Sequence, residues 1–315
     1  MRGEIQSKNG TLRLGTRGSA LALAQTRQVA ACLREAHPGL VVDEEVIRTR
    51  GDEIIDMALH EVGGKGVFVK ELEDHLLDGR IDAAVHSLKD LPRDFPKGLV
   101  LGAVPVREEP WDVLVSQDGQ SIRGLPPGSV IGTSSLRRKA LLKRYRSDLK
   151  VVDIRGNVDT RLRKVSEGEV DGVILAAAGL NRLGIGERVV ERLATEIMLP
   201  AVGQGALGIE IRAKDLRTAA LLVPLNHIPT RQAITAERRV MAYLEGGCQV
   251  PVAAFAEIQG TRLRLKGLVV SLDGVRLVVA EEEGLPEEAL LMGEKLARHL
   301  IELGADKILE DIRNV

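Results

Sequence analysis

The chain has 315 residues, with 44 Lys and Arg against 45 Asp and Glu, so its formal net charge of −1 creates no overall field for polyanions. Hydrophobic residues make up 44% but aromatics only 2%, too few rings for a base-stacking platform, which argues against nucleic-acid recognition. The length suits two or three domains, no apolar stretch nears the roughly 20 residues that cross a bilayer, the polar opening from Met1 to Thr11 lacks a signal-peptide core, and the two isolated cysteines fit a reducing compartment, so a soluble cytoplasmic protein is expected.

In chain order, Leu12 to Thr16 reads as a strand that ends in Gly15-Thr16-Arg17-Gly18-Ser19 and feeds an Ala/Leu-rich helix. Cys32 falls late in that helix and reads as a small core hydrophobe. A second β-rich run ends in Arg48-Thr49-Arg50-Gly51-Asp52. Gly63-Gly64-Lys65-Gly66 is not a phosphate loop, because Leu59 replaces the leading Gly and Gly66 the Ser/Thr; it reads as a glycine hinge with one exposed cation. The strand Ile81 to Val85 then runs into His86-Ser87-Leu88-Lys89-Asp90-Leu91-Pro92, where acid, base-capable and hydroxyl groups meet at a strand end. A polar turn with Asp90 serving backbone N–H groups is the bland reading of this segment, but it lies on the same sheet edge as Arg17.

The pattern then repeats. Val130-Ile131-Gly132-Thr133 leads through Ser135 into Leu136-Arg137-Arg138, Val151 to Ile154 ends in Arg155-Gly156-Asn157, and Gly168 to Leu175 matches Gly79 to His86. Two α/β units of common ancestry are the simplest explanation, with Pro105 and Pro110 marking the passage between them and Pro200 a second one. Ala206 to Arg212 alternates like a strand and is expected to return to the first unit, giving two hinged lobes around a cleft. Gly203 to Gly208 spells the dinucleotide fingerprint, yet a strand follows where a helix is required, so no nucleotide site is read there. The six histidines show no ligand spacing, and no metal is expected.

From about Ile228 the pattern changes to a helix near Arg231 to Glu245, strands around Val250 to Ile258, Arg262 to Val270 and Val275 to Glu281, and a helix near Pro286 to Leu303, a separate α+β unit. Cys248, in Glu245-Gly246-Gly247-Cys248-Gln249-Val250-Pro251, fits a buried structural thiol and an anchoring nucleophile equally well. In the lobes, strand ends that feed helices bring backbone N–H groups, positive helix ends and guanidinium forks to one edge. Such loops cradle an anion with several charges.

Taken together, the segments Gly15 to Ser19, Val62 to Phe68, His86 to Pro92, Gly132 to Arg138, Arg155 to Val158 with Arg161, Leu199 to Ala206 and Glu245 to Pro251 closely resemble the porphobilinogen deaminase family, in family order over nearly the whole chain. The resemblance implies two duplicated α/β domains shaped like a bilobed periplasmic binding protein, 1–106 with 202–225 and 107–201, and an α+β domain with a three-stranded antiparallel sheet, 226–315. It implies a transferase that condenses four porphobilinogens head to tail with loss of ammonia, on a dipyrromethane cofactor joined to Cys248 by a thioether. Asp90 would be catalytic and would also contact the cofactor, beside Lys89, Ser87, Thr133, Ser135, Arg137 and Arg138. Arg17, Ser19, Lys65, Phe68, Arg155, Arg161, Arg182 and Gln204 would bind the substrate. Each pyrrole carries an acetate and a propionate, which explains the demand for cations. Glu61 and Gly18 depart from the family pattern, the first where many members have Lys. A monomer is expected. The competing class is a bilobed receptor that holds a polycarboxylate without chemistry, and Cys248 on its double-glycine loop is what such a receptor has no reason to carry.

Overall fold

The computed structural model describes residues 10–48, 69–244 and 250–314. The first lobe begins with β1 (Leu12–Thr16), α1 (Ala20–Ala36) and β2 (Val42–Val46), followed by α2 (Lys70–Leu77), β3 (Ala83–Ser87) and β4 (Leu99–Ala103). The second holds β5 (Asp112–Ser116), β6 (Val130–Gly132), α3 (Leu136–Tyr145), β7 (Lys150–Val152), α4 (Val158–Ser166), β8 (Gly172–Ala176), α5 (Ala177–Arg182) and β9 (Glu191–Arg192). The chain returns to the first lobe as β10 (Leu207–Arg212) and α6 (Leu216–Leu222), then continues with α7 (Ile228–Tyr243), β11 (Val252–Gln259), β12 (Arg262–Val270), β13 (Leu277–Gly284), α8 (Ala289–Glu302) and α9 (Ala305–Arg313).

The duplication is explicit in the sheets. One five-stranded sheet has the order β2-β1-β3-β10-β4 and the other β7-β6-β8-β5-β9, with β1 parallel to β2 and β3 just as β6 is parallel to β7 and β8. The fourth strand of each, β10 or β5, is antiparallel to its neighbours and adjoins a segment that crosses between the lobes. The alternation of Ala206 to Arg212 does mark a strand returning to the first sheet, and the glycines before it serve the crossing: Gly205 has φ +86° and a Cβ there would lie 2.3 Å from the Glu108 carbonyl oxygen. Gly203, at φ +72°, leaves no room beside Leu88 and the Lys89 amide.

Strand ends face the helices through caps. Ser19 accepts from the Ala22 amide at 3.3 Å, Ser135 from Arg138 at 3.4 Å and Asn157 from Thr160 at 2.9 Å, so each arginine-bearing loop closes onto a helix N-terminus. The third unit, the antiparallel sheet β11-β12-β13 backed by α7 and α8, shares a core with the second lobe, where Ala253, Phe255 and Leu268 meet Leu114, Ile131 and Leu141. It reaches the first lobe through Arg231, which donates to the Leu101 and Gly102 carbonyls at 3.0 and 3.1 Å.

All three units meet at Glu237 on α7. This fully buried carboxylate pairs with Arg107 at 2.5 Å and accepts from the Gly203 amide at 2.7 Å and the Ala256 amide at 2.9 Å. Arg107 also donates to the Gln204 carbonyl at 2.8 Å and lies 4.9 Å above the Phe255 ring.

One expectation changes. Cys32 is exposed, because the buried stripe of α1 runs through Gln25, Thr26, Val29, Ala30 and Leu33 and Cys32 lies off it. The helix expected near Pro286 to Leu303 is present as α8, and a further helix, α9, follows Gly304 at φ +97°.

Replacing Gly205 by Ala should cost about 1–3 kcal/mol through left-handed backbone strain, more if the Glu108 carbonyl cannot retreat. A lower denaturant midpoint with an unchanged slope would show it, and an unchanged midpoint would contradict the close crossing.

Candidate active site

The turn at the carboxyl end of β3 lies within charge range of Arg138, after β6, and of Arg161, after β7. Asp90 ends a single 3-10 turn, Leu88–Asp90, directly after β3, and is exposed. The turn is held by a 3.0 Å bond from the Leu88 amide to the Ala206 carbonyl and by the close approach of Gly203. Beside it, Arg17, Ser19, Gln25, His86 and Ser87 line with Asp90 a cavity of about 70 Å³. Gln25 of α1 donates to the Ser87 hydroxyl at 2.8 Å, tying helix to strand end.

Charge joins the two walls. Arg161, on α4 of the second lobe, has its pKa lowered by burial and by Arg138, while the carboxylate of Asp90 across the cleft opposes that shift. Half-buried Lys89 is likewise pushed down by burial; Asp90 and Asp112 oppose the shift and Arg138 and Arg137 add to it. Asp90, Lys89, Arg137, Arg138 and Arg161 therefore form one electrostatic neighbourhood.

Arg137 and Arg138 are not two open forks. Both are buried against Asp112, the first residue of β5: Arg137 Nη1 donates to it at 2.7 Å and Arg138 Nε at 2.8 Å. They also serve backbone, Arg137 donating to the Leu199 carbonyl at 2.6 Å and Arg138 to that of Ile174 at 2.8 Å. Burial alone would raise the Asp112 pKa, but the two guanidiniums hold it at about 2, so the trio carries one net positive charge. Asp112 was not singled out from sequence, although an acid heading the apolar strand Val113-Leu114-Val115 is the signal that could have found it.

The other expected residues divide by place. Thr133 is buried, and its hydroxyl accepts from the Ser135 amide at 3.3 Å. Arg161 Nε donates to the Gly156 carbonyl at 2.9 Å, and Arg155 keeps a buried Nη1 without a partner. Arg182 and Gln204 are bonded to the crossing segments: Arg182 donates to the Gly205 carbonyl at 2.8 Å, and Gln204 is buried with its amide donating to the Pro110 carbonyl at 2.6 Å. Burial brings the Arg182 pKa down to about 10 against the pull of Glu108. Lys65, Phe68 and Cys248 lie outside the described residues, as does most of the Arg48 to Asp52 loop.

Under the cavity lies a set of ionisable groups. His86 Nε2 meets Glu210 Oε2 of β10 at 3.0 Å, both residues being buried. Glu73 of α2, also buried, has its pKa raised to about 7, first by burial and then by the charges of Glu210 and Asp74. Among the described residues no group of His, Cys, Asp or Glu could hold a metal.

The raised Glu73 pKa fixes a sign. The folded chain holds this proton up to about pH 7 while the unfolded chain releases it near the ordinary value of 4.5, so stability falls as pH rises through that window. The fall should be on the order of 2–3 kcal/mol and should vanish in Glu73→Gln, as read from denaturant midpoints at pH 5 and 8. Equal slopes in both proteins would contradict the assignment.

The family model described as "Porphobilinogen deaminase, dipyromethane cofactor binding domain" matches residues 12–220, and "Porphobilinogen deaminase, C-terminal domain" matches 231–302. A porphobilinogen deaminase of Desulforudis audaxviator is 52% identical over 300 residues, 95% of this chain and 97% of that protein. One of Syntrophobacter fumaroxidans is 48% identical over 301 residues, 96% and 97% of the two chains. Among solved structures, a probable amino-acid ABC transporter extracellular-binding protein of Bacillus subtilis aligns with a TM-score of 0.42 and 12% identity, over 72% of this chain and 95% of that one. The cation-lined cleft thus stands in a chain matched along nearly its whole length, and the chain belongs to the porphobilinogen deaminase family.

Proposed function

We propose that the cleft carries out the family reaction with Asp90 as its principal catalytic group. The chain is a transferase of tetrapyrrole biosynthesis that condenses porphobilinogen to hydroxymethylbilane and binds a dipyrromethane cofactor. The observation that carries the residue assignment is the exposed Asp90 carboxylate, facing Arg161 of the opposite wall with Lys89 beside it.

A carboxylate there suits the chemistry. Loss of ammonia from the aminomethyl group leaves an electron-poor ring whose N–H becomes more positive, and a fixed negative charge lowers the energy of that state and handles the proton. Arg17, Arg155 and Arg161 would take the acetate and propionate groups of substrate, with Ser19 as neutral donor and Lys65 and Phe68 as further contacts. Arg182 and Gln204 would support substrate binding from the crossing segments, to which they are bonded.

The residues fit the cofactor. The trio of Arg137, Arg138 and Asp112 leaves one positive charge in excess, the Arg155 Nη1 is a buried donor in want of an acceptor, and a polycarboxylate answers both. Lys89, Ser87, Thr133, Ser135, Arg137 and Arg138 would hold it, with Asp90 nearby and Cys248 as its covalent anchor. When bound, dipyrromethane supplies the nucleophilic pyrrole carbon that primes the chain.

The domain division 1–106 with 202–225, 107–201 and 226–315 is proposed with this reading, as are a cytoplasmic location and a monomer. An exposed free Cys32 accords with a reducing compartment, and no helix among the described residues is long and apolar enough to cross a membrane.

Asp90→Asn should keep the fold and lower turnover by at least about 100-fold, the scale of a lost acid–base and charge-stabilising group. Wild-type turnover in a folded variant would overturn the role. Cys248→Ser should yield protein without covalent pyrrole, visible as a missing dipyrromethane mass and no colour with Ehrlich's reagent. A retained cofactor mass would move the anchor elsewhere.

A further inference from the structure

The groups beneath the cavity have no part in the reading above, yet their arrangement is that of an oriented base. His86 stands one residue before Ser87 and four before Asp90, and all three line the same cavity. In the antiparallel pairing of β3 with β10 its register partner is Gly208, which has no side chain, and the diagonal neighbour Glu210 meets Nε2 at 3.0 Å. The fully buried Glu210 carboxylate makes Nε2 the protonated nitrogen of the neutral ring. Nδ1 then carries a lone pair, and it makes no hydrogen bond among the described residues. A carboxylate holding one nitrogen of an imidazole that lines a cavity, with the other nitrogen left unbonded, is how general bases are oriented.

Glu210 is also more than a structural partner. Its Oε1 is buried without a hydrogen bond, as is Oε1 of Glu73. Glu73 lies within charge range of Glu210, so a second buried carboxyl group stands behind the one that holds the imidazole.

We propose that His86 is a second proton-handling residue of this cleft, its Nδ1 accepting the proton released when each new carbon–carbon bond is made. This rests on the reading of Asp90 as the charge-stabilising carboxylate, and divides the labour between the two. From the ammonium form of porphobilinogen the C–N bond breaks and ammonia departs. The methylene carbon bonds to the α-carbon of a porphobilinogen-derived ring already at the chain end. That carbon's C–H bond then breaks, its electron pair re-enters the ring, and the proton passes to Nδ1. From there it goes to the departing ammonia, which leaves as ammonium, so no outside reactant is needed.

The test compares wild type, His86→Gln, Glu210→Gln and Asp90→Asn as holoproteins, with cofactor loading verified by intact mass, using porphobilinogen deuterated at its free α-carbon. His86→Gln preserves a donor to Glu210 but lacks the base. Its kcat should fall about 100-fold with KM changed by less than about threefold, and its deuterium isotope effect on kcat should exceed that of wild type. Intact mass should show shorter bound chains at equal times. Glu210→Gln keeps the imidazole but not the orienting charge, and should lose about 10-fold in kcat with the same growth in isotope effect. It decides the matter by that effect if His86→Gln yields no holoprotein. A purely structural role would lower the loaded fraction or the melting temperature and leave the isotope effect unchanged, which would overturn the proposal. Wild-type kcat in His86→Gln alongside an inactive Asp90→Asn would sink the proposal alone, whereas an active Asp90→Asn would remove the reading beneath it.

Discussion

The buried carboxylate of Glu237 is the contact on which the three units depend. It takes a guanidinium from the first crossing segment, an amide from the second and an amide from the third unit's first strand, so a single side chain ties both crossings to the third unit. A lone carboxylate in that setting would be costly to bury, and full pairing makes the site tolerable while leaving little freedom of geometry. Its influence reaches the chemistry by a short path. Gly203, whose amide Glu237 holds, presses against Leu88 and Lys89, and those residues form the turn that ends in Asp90.

The walls of the cleft follow a second electrostatic rule. Arg137 and Arg138 are bought into the interior by Asp112, which consumes one of their two charges and leaves the other to act on the cleft. Arginine suits this better than lysine because its planar fork can serve a carboxylate and a backbone carbonyl at once, as both residues do here. Burial first, and then these cations, lower the proton affinity of Lys89, which an incoming carboxylate would restore. The cleft thus holds positive charge fixed before any ligand arrives, with Asp90 as an exposed carboxylate beside it.

Local patterns made much of this readable from sequence. The repeated strand–turn–helix segments ending in Arg17, Arg137 and Arg155 became matching sheets, and the alternation of Leu207 to Arg212 identified the returning strand because period-2 burial is written in neighbouring residues. What escaped was pairing at long range. Arg107 and Glu237 are 130 positions apart and His86 and Glu210 are 124 apart, so no local spacing announces either contact. The same limit made Arg137 and Arg138 look like open forks, since Asp112 lies on a strand that joins their sheet from an earlier segment. Cys32 was misplaced for a simpler reason: an Ala/Leu-rich helix offers several apolar faces, and only the packed one shows which is inward.

The central claim is that this fixed, cation-rich cleft builds a covalent chain and does not merely hold a polycarboxylate. Intact-protein mass measured at short times after mixing the purified holoprotein with porphobilinogen addresses it directly. Discrete additions to the protein mass are expected, each equal to one porphobilinogen less ammonia, ending at four. A protein that binds porphobilinogen yet keeps its starting mass at every time would contradict it.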